Sequence, residues 1–198
     1  MAGEVYGQIG TEGFGLGIGH TINESFGVRG EFNTFSKSYT QDSSDASYTG
    51  KVKLGGVSAL GDYFPLKNGF RITAGVVFNN AKVEGSAVAN SGTYTINGNS
   101  YAYGGGDSAK ASIKFGDVNP YLGIGYGHNA STEGFHFTAD AGVMFMNPKV
   151  SLSLSGPLAS LVSQADIDAE RARLQDDADK LRAYPVVKFG VTYRTNLF

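Results

Sequence analysis

His20, His128 and His136 are the only histidines, and they are the side chains best suited to proton transfer near neutrality. His136 precedes Thr138 and Asp140 at alternate positions, which puts all three on one face of a strand, and a His/Asp spacing can orient a base. No nucleophile accompanies it. There is no Gly-x-Ser-x-Gly elbow, no His-x-x-x-His pair and no other metal-binding spacing. His20 and His128 fall on apolar faces near strand ends, where an interfacial side chain is the ordinary explanation. Cysteine is absent, which removes disulfides, thiolate metal sites and Cys nucleophiles, and suits a chain that crosses an oxidising compartment unfolded. The run Gly13-Phe-Gly-Leu-Gly-Ile-Gly19 has the glycine density of a dinucleotide loop. Its glycines alternate with apolar residues inside a strand and open no helix, so they fail the context test for a phosphate cradle. No catalytic residue, cofactor or metal is expected.

The charged residues that do form a pattern sit at alternate positions opposite apolar ones. In Phe26-Gly-Val28-Arg-Gly30-Glu-Phe32-Asn, one face carries Phe26, Val28 and Phe32 and the other Arg29, Glu31 and Asn33. Ile72, Ala74 and Val76 oppose Arg71, and Ile113 and Phe115 oppose Lys110 and Lys114. If the apolar face is outside, the interior holds Arg29, Lys51, Lys53, Arg71, Lys110, Lys114, Lys188 and Arg194 against Glu31 and Asp140, with His136 beside them. Eight bases would then face two acids, the composition of an anion-preferring lumen. A bulge at Gly55-Gly56 would change the phase of Lys51 and Lys53.

The elements that must position these residues are strands. Period-two alternation predicts ten, at about 4–11, 14–22, 26–40, 47–65, 69–86, 108–117, 120–128, 134–146, 149–156 and 184–198. Most reach the 9 to 11 residues of a tilted membrane strand. Connections at Asn23-Glu-Ser, Leu66-Lys-Asn-Gly69, Asp117-Val-Asn and Asn147-Pro read as tight turns, and those near 41–46, 87–107 and 157–183 are long. Two short segments, Thr11-Glu-Gly13 and 129–134, fall on the long side. The expectation is an all-β, single-domain chain over 1–198: a closed antiparallel transmembrane β-barrel of ten strands, with eight as the alternative.

Composition supports that class. Glycine is 29 of 198 residues, roughly twice the usual share, and proline is only 5. No apolar stretch is long enough for a membrane helix. A soluble sandwich or barrel would alternate as well, but a polar face so full of glycine, as at 13–19 and 121–127, fits a crowded interior better than a solvated surface. The formal charge of −2 gives no footprint for nucleic acid. Met1-Ala2-Gly3-Glu4 enters strand-like sequence at once, so the expectation is a mature chain whose signal peptide was removed and replaced by an initiator Met.

Residues 158–183 read as a short amphipathic helix. Ser163 with Asp166 makes an N-cap, Asp166, Asp168 and Glu170 crowd the start, and Lys180 and Arg182 lie in the last turn before Pro185. Ile167, Leu174, Ala178 and Leu181 share one side. The segment is a lid or recognition element, or a loop packing one stripe on the rim, with packing favoured. Thr93 to Tyr101 reads as a hairpin around Asn97-Gly98.

The C-terminal run Tyr184-Pro-Val-Val-Lys-Phe-Gly-Val-Thr-Tyr-Arg-Thr-Asn-Leu-Phe198 resembles the final strand of small gram-negative outer-membrane barrels of the opacity and outer-membrane-protein-W kinds. Val118-Asn-Pro-Tyr-Leu-Gly-Ile-Gly-Tyr-Gly and Gly27-Val-Arg-Gly-Glu-Phe look like the start of rising strands in the same class. The resemblance implies residence in the bacterial outer membrane. It implies contact with outer-membrane lipid and lipopolysaccharide, and an assembly signal at Phe198 and Tyr193 read by the barrel-assembly machinery. Phe198 has the opposite parity to Val187, Phe189, Val191, Tyr193 and Leu197, so the resemblance stops at the broad class. Three functions stay open. One is passive permeation of small solutes through a narrow polar lumen with anion preference. The second is a non-conducting structural or surface-interaction barrel, and the third, which no motif supports, is a lipid-directed outer-membrane enzyme.

Overall fold

The computed structural model describes residues 2–42, 46–89, 92–103, 105–128 and 133–195. In chain order the elements are β1 (Ala2–Gly10), β2 (Gly13–Asn23), β3 (Phe26–Asp42), β4 (Ala46–Tyr63), β5 (Phe70–Asn79), β6 (Lys82–Ala89), β7 (Gly92–Ile96), β8 (Asn99–Tyr103), β9 (Ser108–Phe115), β10 (Val118–Tyr126), β11 (Gly134–Phe145), β12 (Pro148–Ser155), α1 (Leu158–Leu161), α2 (Gln164–Asp179) and β13 (Ala183–Thr195). Eight strands close into an antiparallel ring, β1-β2-β3-β4-β5-β10-β11-β13 and back to β1. No described helix is long and apolar enough to cross a membrane.

The remaining sheet strands, β6, β9 and β12, are prolongations of ring strands. Gly56 pairs with Asn79 and Lys53 with Lys82, so β4 keeps one register as its partner passes from β5 to β6. Val118 opposite Phe78 and Lys82 opposite Lys114 show the same continuity for β9 and β10. Asp117-Val-Asn119 and Asn147-Pro148 therefore do not reverse the chain. They mark a bulge, where the register slips between Tyr121–Met144 and Phe115–Pro148. The Asn119 side-chain amide donates to the Gly116 carbonyl at 2.5 Å, and the Gly116 N–H reaches the Asn147 carbonyl at 3.1 Å, so the ladder is bridged. The ten strands predicted from alternation become eight for this reason. The connection after β10 moves to the short-turn end, beside those after β2 and β4, which removes one of the two exceptions in loop length. Gly55-Gly56 carries no register shift between β3 and β4. Gly55 has φ +115° and no room for a Cβ, so it bends the strand without changing its phase.

Beyond the ring, the outer halves of β3 and β4 join β6, β9 and β12 as a five-stranded sheet. The same strands invert their polarity on entering it. In the ring, Ile72 and Phe78 of β5 point outward and are exposed, while Arg71 and Thr73 are buried. In the outer sheet, Val83 and Ile113 turn inward to pack on Phe115 and Met146, and the outward positions carry Lys82, Glu84, Lys110 and Lys114. The outward face thus changes from apolar to charged while the register stays constant.

The free edge of β12 is covered by α2. The Gln175 side chain accepts from the Val150 N–H at 3.0 Å and donates to the Pro148 carbonyl at 2.9 Å, which satisfies edge groups left open by the sheet. Ser163 caps α2 as expected, its Oγ accepting from the Asp166 N–H at 3.2 Å. The helix ends at Asp179, one turn earlier than the spacing predicts, so Lys180 and Arg182 lie beyond it and pair with Asp177 and Asp179. Ala178 is buried and Ile167 packs near Val162 and Ile96, whereas Leu181 is exposed. The β7–β8 hairpin turns through Asn97 and Gly98, both at positive φ. Asp166 accepts from Asn97 at 3.0 Å, from Asn99 at 3.3 Å and from the Tyr101 hydroxyl at 2.5 Å, tying helix to hairpin. These donors hold its carboxyl at about 2, below the ordinary aspartate range.

Candidate functional site

The ring interior is the one place where many ionisable groups converge. Arg29 of β3 donates to Asp62 of β4 at 2.5 Å and to Glu31 at 3.0 Å, and lies 3.6 Å from Asp140 of β11. Arg71 of β5 pairs with Asp140 and lies 3.4 Å from Asp62, whose carboxylate also accepts from Thr73 at 2.6 Å. Lys188 of β13 bridges Glu31 at 2.7 Å and Glu12 at 2.8 Å. Arg71 is 0% exposed and Arg29 5%, so these are desolvated groups that owe their tolerance to their partners.

Glycines make the mesh possible. Strand β2 presents Gly15, Gly17 and Gly19 to the interior, and side chains of its two neighbours meet above them. Gln8 and Asn33 flank Gly15 in register and bond at 2.9 Å, and Tyr6 and Glu31 flank Gly17 and bond at 3.1 Å. A Cβ on Gly17 would run into the Tyr6 ring, and one on Gly19 into the Glu4 carboxylate. The expectation of a crowded interior behind the glycine-rich faces is met.

Toward the long-loop end the interior becomes apolar. Leu60, Val77, Tyr121, Met144 and Val186, from five different ring strands, pack together with Phe115 and Met146. At the opposite end, the buried His128 accepts or donates through Nδ1 to Glu4 at 2.8 Å, and Glu4 also accepts from Thr192 at 3.0 Å. Arg194 reaches the His128 carbonyl at 3.5 Å and Thr21 at 3.3 Å.

The predicted interior residues divide. Arg29, Glu31, Arg71, Asp140, Lys188 and Arg194 are buried inside the ring, and His136 shares the inner parity and is half-buried. Lys110 and Lys114 are not inside. They are exposed on the outward face of β9, because the apolar face of that strand turns inward once it leaves the ring. Lys51 and Lys53 are exposed for the same reason. His136 and Asp140 are four strand positions apart, about 13 Å, and Asp140 is engaged by Arg71, so the predicted base-orienting pair does not form. His128, assigned to the apolar outer face, points inward instead, because Gly127 at φ +107° redirects the chain after β10. Sequence reasoning missed Glu4, Glu12 and Asp62. Glu4 alternates with Tyr6 and Gln8, a signal that was available, whereas Glu12 reaches inward from a turn, where alternation has no force. Among the described residues the interior holds Glu4, Glu12, Glu31, Asp62 and Asp140 against Arg29, Arg71, Lys188 and Arg194, so the predicted excess of bases is overturned. Tyr193 faces outward, its ring 5.0 Å from that of Phe135, and Phe198 lies outside the described residues. No group of three or more possible metal ligands occurs among the described residues.

The outer surface of the ring is the reverse of a soluble protein's. Leu16 is 70% exposed, Phe137 85% and Phe189 62%, on the faces opposite the buried charges. Such a belt is stable only in an apolar surrounding.

No protein-family model matches the chain, and no curated protein matches it in sequence. Among solved structures, CarO2 of Acinetobacter baumannii aligns at TM-score 0.62 and 22% identity, over 98% of this chain and 99% of its own. CarO of the same organism aligns at TM-score 0.60 and 21% identity, over 96% of each chain. A major outer membrane protein of Thermus thermophilus aligns over 98% and 99% of the two chains at 14% identity and TM-score 0.47. The chain has the fold of a small outer-membrane β-barrel. The inverted surface is the one this fold presents to lipid, with the apolar faces of the staves outside and their polar groups within. Aromatic side chains gather near the short-turn end, Phe26 beside Tyr63 at 5.2 Å and Phe135 beside Tyr193, as in the interfacial girdles of membrane barrels.

Proposed function

We propose that this chain is a non-conducting barrel of the bacterial outer membrane, of the structural or surface-interaction class, that carries a rigid sheet and helix on the extracellular side. The observation behind this reading is the two-layered interior. A mesh of paired charges from five ring strands and the β1–β2 turn lies below an apolar cluster from five, and each layer fills the space a solute would need. The side of display follows from the fold class: both ends of the described chain lie at the short-turn end, which in outer-membrane barrels is periplasmic, so the outer sheet lies outside the cell.

A lipid-directed enzyme is disfavoured by position. The buried His128–Glu4 pair faces Tyr6 and Thr192 inside the barrel, where acyl chains on the outer surface do not reach it. The anion-selective pore loses its premise with the excess of acids. Planar-bilayer recording of the purified protein tests the proposal: an unaltered baseline is expected, and discrete conductance steps that grow with salt would overturn it.

A further inference from the structure

The clearest feature left without a role is a row of lysines on the outward face of the outer sheet. Lys53 of β4, Lys82 of β6, Lys114 of β9 and Lys149 of β12 are direct lateral neighbours, paired in register across four adjacent strands. Lys53, Lys114 and Lys149 are exposed, and Lys82 is part-exposed. Two further lysines, Lys51 and Lys110, stand in the next two rows of the same face. Those three rows hold one carboxylate, Glu84, which lies 2.7 Å from Lys82 and 3.4 Å from Lys110. Lys53, Lys114 and Lys149 make no ion pair among the described residues. Like charges placed directly opposite on neighbouring strands repel, so the row is favourable only when an anion lies over it.

Its height on the barrel identifies that anion. Four residues before each lysine position, counted toward the ring, stand Val57, Phe78, Val118 and Phe145, all outward and between 50% and 60% exposed. The positions halfway between are Gly55, Asn80, Gly116 and Asn147, so the apolar belt stops abruptly on all four strands. Four residues of a strand tilted by about 40° rise about 10 Å. That is the level of the headgroups above a hydrocarbon core, and a lysine stem can bend back a few ångströms toward it. Around the lysines the face carries hydroxyls, Ser86, Ser112, Ser151 and Ser153, suited to sugar oxygens.

We propose that the row Lys53–Lys82–Lys114–Lys149 binds the phosphate groups of the phosphorylated glycolipid of the outer leaflet, lipopolysaccharide. The site rests on the outer-membrane reading and adds to it a named lipid contact confined to one side of the barrel.

The test uses the full chain refolded in detergent, with folding confirmed by heat-modifiable gel mobility and strand circular dichroism. Binding of short-core lipopolysaccharide is measured by microscale thermophoresis for the native chain, for the triple variant Lys53→Gln, Lys114→Gln, Lys149→Gln, and for a charge-matched control, Lys37→Gln, Lys67→Gln, Lys180→Gln. A lysine near an anionic headgroup contributes about fivefold in affinity, so the triple variant is expected to bind at least about tenfold more weakly and the control within about twofold. Binding should also fall when the lipid is dephosphorylated, and free inorganic phosphate should not compete at matched concentration. Equal binding by native and triple variant would overturn the site, as would equal weakening in the control, insensitivity to dephosphorylation, or full competition by free phosphate. Failure of the native chain to fold in any amphiphile would overturn the outer-membrane reading itself. A folded native protein with an indifferent triple variant removes the lysine site alone.

Discussion

Arg71 and Asp140 form their ion pair across an intervening strand, over Gly125. Arg71 is opposite Gly125 on one side and Asp140 is opposite it on the other, so the three residues stand in one lateral row of β5, β10 and β11. A Cβ on Gly125 would come within 2.7 Å of both the Arg71 guanidinium and the Asp140 carboxylate. The pair therefore depends on a residue that takes no part in it.

Gly125→Ala is expected to lower stability by about 1–3 kcal/mol, the usual range for overpacking. Gly85→Ala, where a Cβ meets nothing within 4 Å, should stay within about 0.5 kcal/mol of the native protein. Urea unfolding in micelles, followed by circular dichroism, separates the two, and equal midpoints would contradict the steric account.

Removing one partner should cost more than removing both. Asp140→Leu leaves Arg71 buried beside Arg29 with less neutralising charge, and a loss of about 3–5 kcal/mol is expected. Adding Arg71→Met should restore part of it, because no uncompensated guanidinium then remains at that position. A double-mutant cycle that proves additive would show the two residues to be independent.

The helix–hairpin junction should be pH-dependent through Asp166. Its carboxyl is depressed to about 2 in the folded chain by the donors on Asn97, Asn99, Tyr101 and Ser163. A depressed carboxyl stabilises above its unfolded pKa of about 3.9, and that contribution is lost as pH falls toward 2. The hydrogen-exchange protection of the 92–103 hairpin, corrected for the intrinsic exchange rate at each pH, should therefore be high at pH 5 and fall as pH drops below about 4, whereas in Asp166→Asn the protection should not change with pH over that range. A native profile that is flat from pH 5 to 2 would refute the linkage.

Replacing 160–182 by a short turn should leave the ring able to fold, since loop length enters closure entropy only weakly. The gel shift on boiling should persist. The same deletion removes Gln175 from the edge of β12, so the variant should self-associate more readily than the native protein, as light scattering of folded samples would reveal. Complete loss of folding would place the helix in the core.

Much of the ring was legible in the sequence. Alternation at Phe26–Asn33 and Phe70–Phe78 assigned Arg29, Glu31 and Arg71 to the interior, and the glycines of β2 announced its crowding. What alternation does not carry is which face is wet. A face is apolar either because lipid touches it or because protein does, and the same strand changes from one case to the other between Phe78 and Lys82. Lys110 and Lys114 were misplaced by reading Ile113 and Phe115 as lipid-facing when they are core. The two turns at Asp117 and Asn147 were misread for a related reason, because a bulge and a reversal use the same short polar residues. His128 depended on one backbone angle at Gly127, and Glu12 on a turn, neither of which has a period to detect.

The inversion of polarity at constant register sets a counting rule for the junction between ring and outer sheet. Because successive residues alternate sides, one residue inserted or deleted near Asn80 or Gly116 would leave every stave of the ring as it is and turn the strand beyond it over. Val83 and Ile113 would then be put into water and lysines into the packed layer. Changes of two residues would shift the height of the sheet and keep its faces. Length variation at this seam is thus permitted in even steps, and the distance between the apolar belt and the outer sheet is adjustable only in increments of about 7 Å along the strand.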